Sequence, residues 1–181
     1  MIKAEIPLLG FAAFSGTGKT TLLTRLIPIL RARGVRIGVI KHSHHRFEVD
    51  APGKDSYELR KAGAAQMLLT SKYRWALMAD RDEAREPELQ DELGRLDQAH
   101  LDLILVEGFR HEAFPKIELH RPSLGRPLLC LEDPNIIAIA TDAQLPAHTG
   151  LPLLDINDAQ AVARFVLEPV LAGRFSGVGQ K

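Results

Sequence analysis

The chain has 181 residues, 45% hydrophobic and 25% charged, and its 23 Lys+Arg balance its 23 Asp+Glu. That length commonly makes one domain with a sizeable core, and zero formal net charge argues against a general nucleic-acid binder, which carries a basic surface. The lone cysteine, Cys130, excludes an intramolecular disulfide and a cysteine-based zinc site within one chain.

In chain order, residues 8–14 form an apolar run ending at glycines, read as a buried strand. Residues 19–33 carry Leu22, Leu23, Leu26, Ile27 and Leu30 at helical spacing, with Gly34 placed to end the helix and Pro28 expected to kink it. Residues 35–40 are a second strand, completing a strand–turn–helix–strand unit. A loop over 42–54 follows, dense in His, Asp, Pro and Gly. Asp55 or Ser56 is expected to cap a short helix to Ala62, ended by Gly63. Residues 66–70 and 75–78 suggest a hairpin around Ser71-Lys72-Tyr73-Arg74. Residues 83–96, charged with a sparse Leu89, Leu93, Leu96 stripe, predict a surface helix. Residues 101–106 are the most apolar strand candidate, and 136–140 and 151–154 are further strands. Asn157 and Gln160 have capping-box spacing before a last helix reaching about Leu171. Cys130, in the apolar run Leu128-Leu129-Cys130-Leu131, reads as a small buried hydrophobe. The expected organisation is a single domain over 1–172 with a flexible tail over 173–181.

Ser15-Gly16-Thr17-Gly18-Lys19-Thr20-Thr21 joins the first strand to the first helix. A triphosphate needs many N–H donors aimed at one point, and glycines let the backbone approach while the helix N-terminus adds its positive dipole end. Lys19 then reaches the β- and γ-phosphates, Thr20 supplies a hydroxyl to Mg²⁺, and Thr21 touches the α-phosphate. Ala13 stands where the usual pattern has its first glycine. Phe14 cannot act as the intersubunit lysine that some dimeric P-loop ATPases place there. The fold expectation is α/β: a mostly parallel P-loop NTPase sheet flanked by helices, with an antiparallel edge hairpin. Lys116 to His120 is read as a second antiparallel addition at an edge.

Ligands of such sheets bind beyond the carboxyl ends of the strands, so residues just after each strand carry the information. Glu107, with Gly108 after it, is placed to fix Mg²⁺. Asp50, in the loop after the second strand, is a candidate for polarising the attacking water or holding the Mg²⁺ water shell. His42, His44 and His45 read as part of an anion-binding or switch loop, with a solvated loop or a metal site as the other readings. Asp142 either accepts guanine N1–H and N2–H₂, donors that adenine lacks as a pair, or caps a turn before Pro146.

Phe14-Ser15-Gly16-Thr17-Gly18-Lys19-Thr20-Thr21-Leu22-Leu23, Ile40-Lys41-His42-Ser43-His44-His45, Pro52-Gly53-Lys54-Asp55-Ser56-Tyr57, Gly63-Ala64-Ala65-Gln66 and Leu105-Val106-Glu107-Gly108-Phe109 follow one another along the chain. Together they resemble the MobB family, the adapter proteins of molybdopterin-guanine dinucleotide biosynthesis. The resemblance implies a homodimeric P-loop protein that binds GTP with Mg²⁺ and hydrolyses it weakly. It also implies work beside a MobA-type guanylyltransferase, with molybdopterin or molybdoenzyme apoproteins as further candidate partners, and it favours Asp142 as the guanine reader. The competing class is a P-loop small-molecule kinase, for which the arginines of 74–95 would form a lid. A structural partner that has lost nucleotide is disfavoured by Lys19 and Thr20. No apolar run approaches the roughly 18 residues of a membrane span and no signal-peptide pattern opens the chain, so the expected location is cytoplasmic, without nucleic-acid or membrane partners.

Overall fold

The computed structural model describes residues 2–43, 46–145 and 149–172. The expectations for His44, His45 and the tail over 173–181 lie outside these residues. The chain divides into two compact units, Met1–His42 with Pro87–Lys181, and Ser43–Glu86.

In the first unit, β1 (Leu8–Ala12), β2 (Ile37–Lys41), β5 (Leu103–Glu107), β6 (Lys116–His120), β7 (Ile136–Thr141) and β8 (Leu153–Asp155) form one sheet in the order β2-β5-β1-β6-β7-β8. Every neighbouring pair is parallel. Parallel sheets are covered on both faces, and the β5 side chains divide accordingly. Leu103 and Leu105 pack in a cluster with Leu22, Leu26 and Leu30 of α1 (Lys19–Ala32) and Val162 of α4 (Ala159–Phe165). Ile104 and Val106 pack in another with Leu89 and Leu93 of α3 (Leu89–Leu93). The α/β expectation holds, and β1, the strand that feeds the glycine loop, lies between β5 and β6.

Three elements correct the sequence reading. Lys116–His120 is a parallel strand inside the sheet, buried at every residue. Its charged side chains are satisfied locally: Lys116 Nζ lies 2.8 Å from Asp133 Oδ2, and Glu118 accepts the Leu129 and Cys130 amides at 2.7 and 2.8 Å. The helix expected over 83–96 shrinks to α3, because Pro87 disfavours helical geometry in the residue before it; Leu89 and Leu93 are fully buried rather than on a surface stripe. The last helix is capped by Asp158, whose Oδ1 accepts from the Gln160 and Ala161 amides, not by Asn157. A π-helical turn, Val166–Val170, follows α4. Cys130 is half-buried rather than buried, its thiol pushed above its usual pKa by desolvation and by Glu118.

In the second unit, α2 (Asp55–Lys61) begins after Lys54, which has no side-chain cap bond, so Asp55 is a first-turn acid rather than the cap. β3 (Gln66–Thr70) and β4 (Trp75–Ala79) form the expected antiparallel hairpin, as a two-stranded sheet of their own rather than as edge strands of the six-stranded sheet. Leu68 faces Leu77 and Thr70 faces Trp75 across it. The hairpin carries exposed apolar surface, with Trp75 68% and Tyr73 81% exposed. No helix of the described residues is long and apolar enough to cross a membrane.

Candidate nucleotide-binding site

β1 ends at Ala12, and the chain turns through Ser15-Gly16-Thr17-Gly18 into α1. Gly16 has φ 82° and Gly18 φ 99°, left-handed values that would strain any residue with a Cβ. Thr17 is buried, and its hydroxyl donates to the Phe14 carbonyl at 2.8 Å, so this side chain braces the loop. Gly18 is the N-cap of α1, and no side chain caps it. The first N–H groups of a helix have no partner within the helix, which leaves this end suited to an anion. Ser15, Gly16, Thr20 and Thr21 are exposed around it.

β5 delivers Glu107 to the same edge of the sheet, opposite Phe11 on one side and Lys41 on the other. Its half-buried carboxylate lies 3.9 Å from Lys19 Nζ and 3.3 Å from Lys41 Nζ. Gly108 follows with φ 103°, where a Cβ would come within 2.7 Å of His42 Cβ. The His42 amide donates to the Glu107 carbonyl at 2.9 Å, and the His42 and Phe109 rings lie 5.0 Å apart. The turn after β5 is thus packed against the end of β2.

Farther along the edge, Asp142 follows β7 and Asn157 follows β8. Between them and the glycine loop stands Arg121, directly after β6, a residue the sequence reading passed over. Its Nη1 pairs with Asp142 Oδ2, its Nη2 donates to Asn157 Oδ1 at 3.1 Å, and its Nε donates to the Thr17 carbonyl at 3.0 Å. The signal that singles out Glu107 and Asp142, a charged residue at the end of a strand, applies equally to Arg121, but the polar residues of β6 hide from the sequence that it is an interior strand.

The first unit therefore brings together Lys19 with Glu107, and the glycine loop with Asp142 through Arg121. Asp50 belongs to the second unit. Its Oδ1 accepts the Ala51 amide at 2.9 Å, and its Oδ2, with Arg60 Nε, is among the buried side-chain atoms of the described residues without a hydrogen-bond partner. Arg60 pairs with Glu48 and lies 3.8 Å from Asp80; the Glu48 hydrogen bond raises its pKa most, and the charges of Glu48, Asp80 and Asp50 add to that rise against desolvation. Among the described residues, no cluster of three or more His, Cys, Asp and Glu could hold a metal ion by itself.

A parallel sheet whose β1 passes through a glycine loop into an uncapped helix defines a P-loop NTPase-like fold. The chain belongs to the family described as Molybdopterin guanine dinucleotide synthesis protein B, MobB, which matches residues 8–142. It is 56% identical over 167 residues to the molybdopterin-guanine dinucleotide biosynthesis adapter protein of Escherichia coli, covering 92% of this chain and 94% of that protein. The adapter protein of Haemophilus influenzae is 45% identical over 163 residues, covering 90% of this chain and 88% of that one. The crystal structure of Bacillus subtilis MobB superposes with a TM-score of 0.71 at 26% identity, covering 91% of this chain and 98% of the other.

Proposed function

We propose that the chain is a GTP-binding adapter of molybdopterin-guanine dinucleotide biosynthesis with weak, Mg²⁺-dependent GTPase activity. The observation that carries this reading is the composition of one sheet edge: an uncapped helix N-terminus behind two left-handed glycines, a lysine balanced by Glu107, and a carboxylate, Asp142, farther along. These residues fit a guanine nucleotide in chemistry. The Ser15–Gly18 backbone and the α1 amides would hold phosphate oxygens, and Lys19 would exchange Glu107 for phosphate. Asp142 would accept the two guanine donors. Thr20 and Glu107 would hold Mg²⁺, which when bound offsets charge on the β- and γ-phosphates. For Asp50, the proposed role toward the attacking water rests on its place in the loop after β2.

The family's adapter role supports a partnership with a MobA-type guanylyltransferase, with molybdopterin or molybdoenzyme apoproteins as further partners, in the cytoplasm. Homodimerisation is supported by the exposed Leu68, Trp75 and Leu77 of the hairpin, apolar surface that a second copy would cover. Titrating GTP and ATP with and without Mg²⁺ tests the reading, together with phosphate release in the absence of any acceptor. The expected result is preferential GTP binding, strengthened by Mg²⁺, with slow release of phosphate to water. Equal affinity for both nucleotides, or phosphate transfer only to an added small-molecule acceptor, overturns it.

A further inference from the structure

A guanidinium and the guanine edge are chemically alike. Guanine N1–H and N2–H₂ flank one carbon, as two nitrogens do in arginine, and both present parallel N–H donors to a carboxylate. In this structure the carboxylate of Asp142 is paired with Arg121, whose remaining nitrogens reach Asn157 and the Thr17 carbonyl of the glycine loop. Three strand or loop ends are thus tied by one planar group. The Arg121 and Asp142 side chains are each 28% exposed, so the pair is reachable from solvent rather than sealed in the core.

We propose that Arg121 is a placeholder at the base site: its Nη1 occupies the Asp142 carboxylate, competes with guanine for it and is displaced by the base. This rests on the reading of Asp142 as the guanine acceptor. An arriving base must replace a charged donor, so only a ring offering two donors to the carboxylate compensates for the lost pair. Adenine, with no such donor pair, leaves Arg121 in place. Because the same guanidinium holds the Thr17 carbonyl, its release on guanine binding also frees one tie on the glycine loop.

The test is the ratio of GDP to ADP affinity, measured by calorimetry with Mg²⁺ at fixed salt. A ratio cancels any general loss of attraction for phosphate. Arg121→Ala removes the competitor and is expected to raise the GDP-over-ADP ratio about threefold, the worth of a partly exposed ion pair. Arg121→Lys keeps the charge but loses the ties to Asn157 and the Thr17 carbonyl, and is expected to raise the ratio less; it also decides the matter if the alanine variant folds poorly. Asp142→Ala is expected to abolish the preference, and adding Arg121→Ala to it should then leave the ratio where it is. If Asp142→Ala abolishes the preference but neither Arg121 variant raises the ratio, the placeholder is overturned and the guanine reading stands. If Asp142→Ala leaves the ratio unchanged, the guanine reading falls and the placeholder falls with it.

Discussion

Lys19 and Glu107 face one another at the sheet edge, Nζ to Oε1 at 3.9 Å, with Lys41 on the other carboxylate oxygen at 3.3 Å. The lysine at the mouth of α1 is therefore neutralised by a carboxylate from the neighbouring strand. A phosphate bound by Lys19, as proposed, would compete with Glu107 for it, and Lys41 would keep the carboxylate from being left without a counter-charge.

Lys19→Ala removes a charge-assisted contact and should weaken GTP binding by about 1.5–3 kcal/mol. Far-UV circular dichroism should stay native, because Lys19 is partly exposed and not a core residue. Equilibrium binding of a fluorescent GTP analogue measures the loss; affinity within a factor of two of wild type would remove Lys19 from the site.

Glu107→Ala and Asp50→Ala should leave GTP binding in EDTA nearly intact, since neither carboxylate is proposed to touch phosphate. Glu107→Ala should reduce the gain in affinity that Mg²⁺ gives, and Asp50→Ala should chiefly reduce turnover. Mg²⁺ titrations beside single-turnover phosphate release separate the two. Wild-type metal dependence and turnover in both variants would make the carboxylates ordinary turn residues.

Asp142→Asn should relax the preference for GTP over ATP while phosphate binding persists. The amide accepts one donor of guanine and opposes the other. Competition of GTP and ATP for one labelled nucleotide reads the ratio directly, and an unchanged ratio would move base recognition to Asn157 or a backbone carbonyl.

Acid stability should reflect Asp102. Its carboxylate accepts from the Arg36 Nε at 2.9 Å, Nη2 at 2.7 Å and backbone amide at 2.8 Å, and these bonds hold its pKa at about 2 against an ordinary 3.8. A carboxylate with a depressed folded pKa stabilises the fold above its unfolded pKa and loses that contribution as pH falls toward the folded value. The expected contribution is whole above pH 3.8 and lost on the descent toward about pH 2. Asp102→Asn should flatten this limb in thermal melts across that range; a limb of unchanged steepness would assign acid lability to other groups.

The glycine-loop edge of the sheet was legible in the sequence because its pieces are local: an apolar strand, two glycines, a lysine and an amphipathic helix lie within a short stretch. Glu107 and Asp142 were legible because apolar strands end at them. The centre of the sheet was less so. Lys116, Glu118 and His120 alternate in a strand that is buried throughout, and the partners of Lys116 and Glu118, Asp133 and the amides of Leu129 and Cys130, arrive later in the chain. Periodicity cannot foresee such satisfaction, so neither the interior place of β6 nor that of Arg121 after it is readable from the pattern of residues. At α3 the leucine stripe suggests a longer helix than the steric veto of Pro87 allows.

The strand order carries a consequence for how this protein is made. β1 and β2 are consecutive in sequence yet are not paired; β5 lies between them, with Leu8 opposite Ile104 and Ile37 opposite Leu103. On a ribosome, the glycine loop and α1 emerge long before any strand that can hold β1 in a sheet. The first apolar strand must wait, unpaired, until the segment ending at Glu107 leaves the exit tunnel, and pairings of such separation are slow to close. A nascent chain arrested before β5 should accordingly expose β1 to proteases and chaperones, whereas one arrested well past β7 should already protect it.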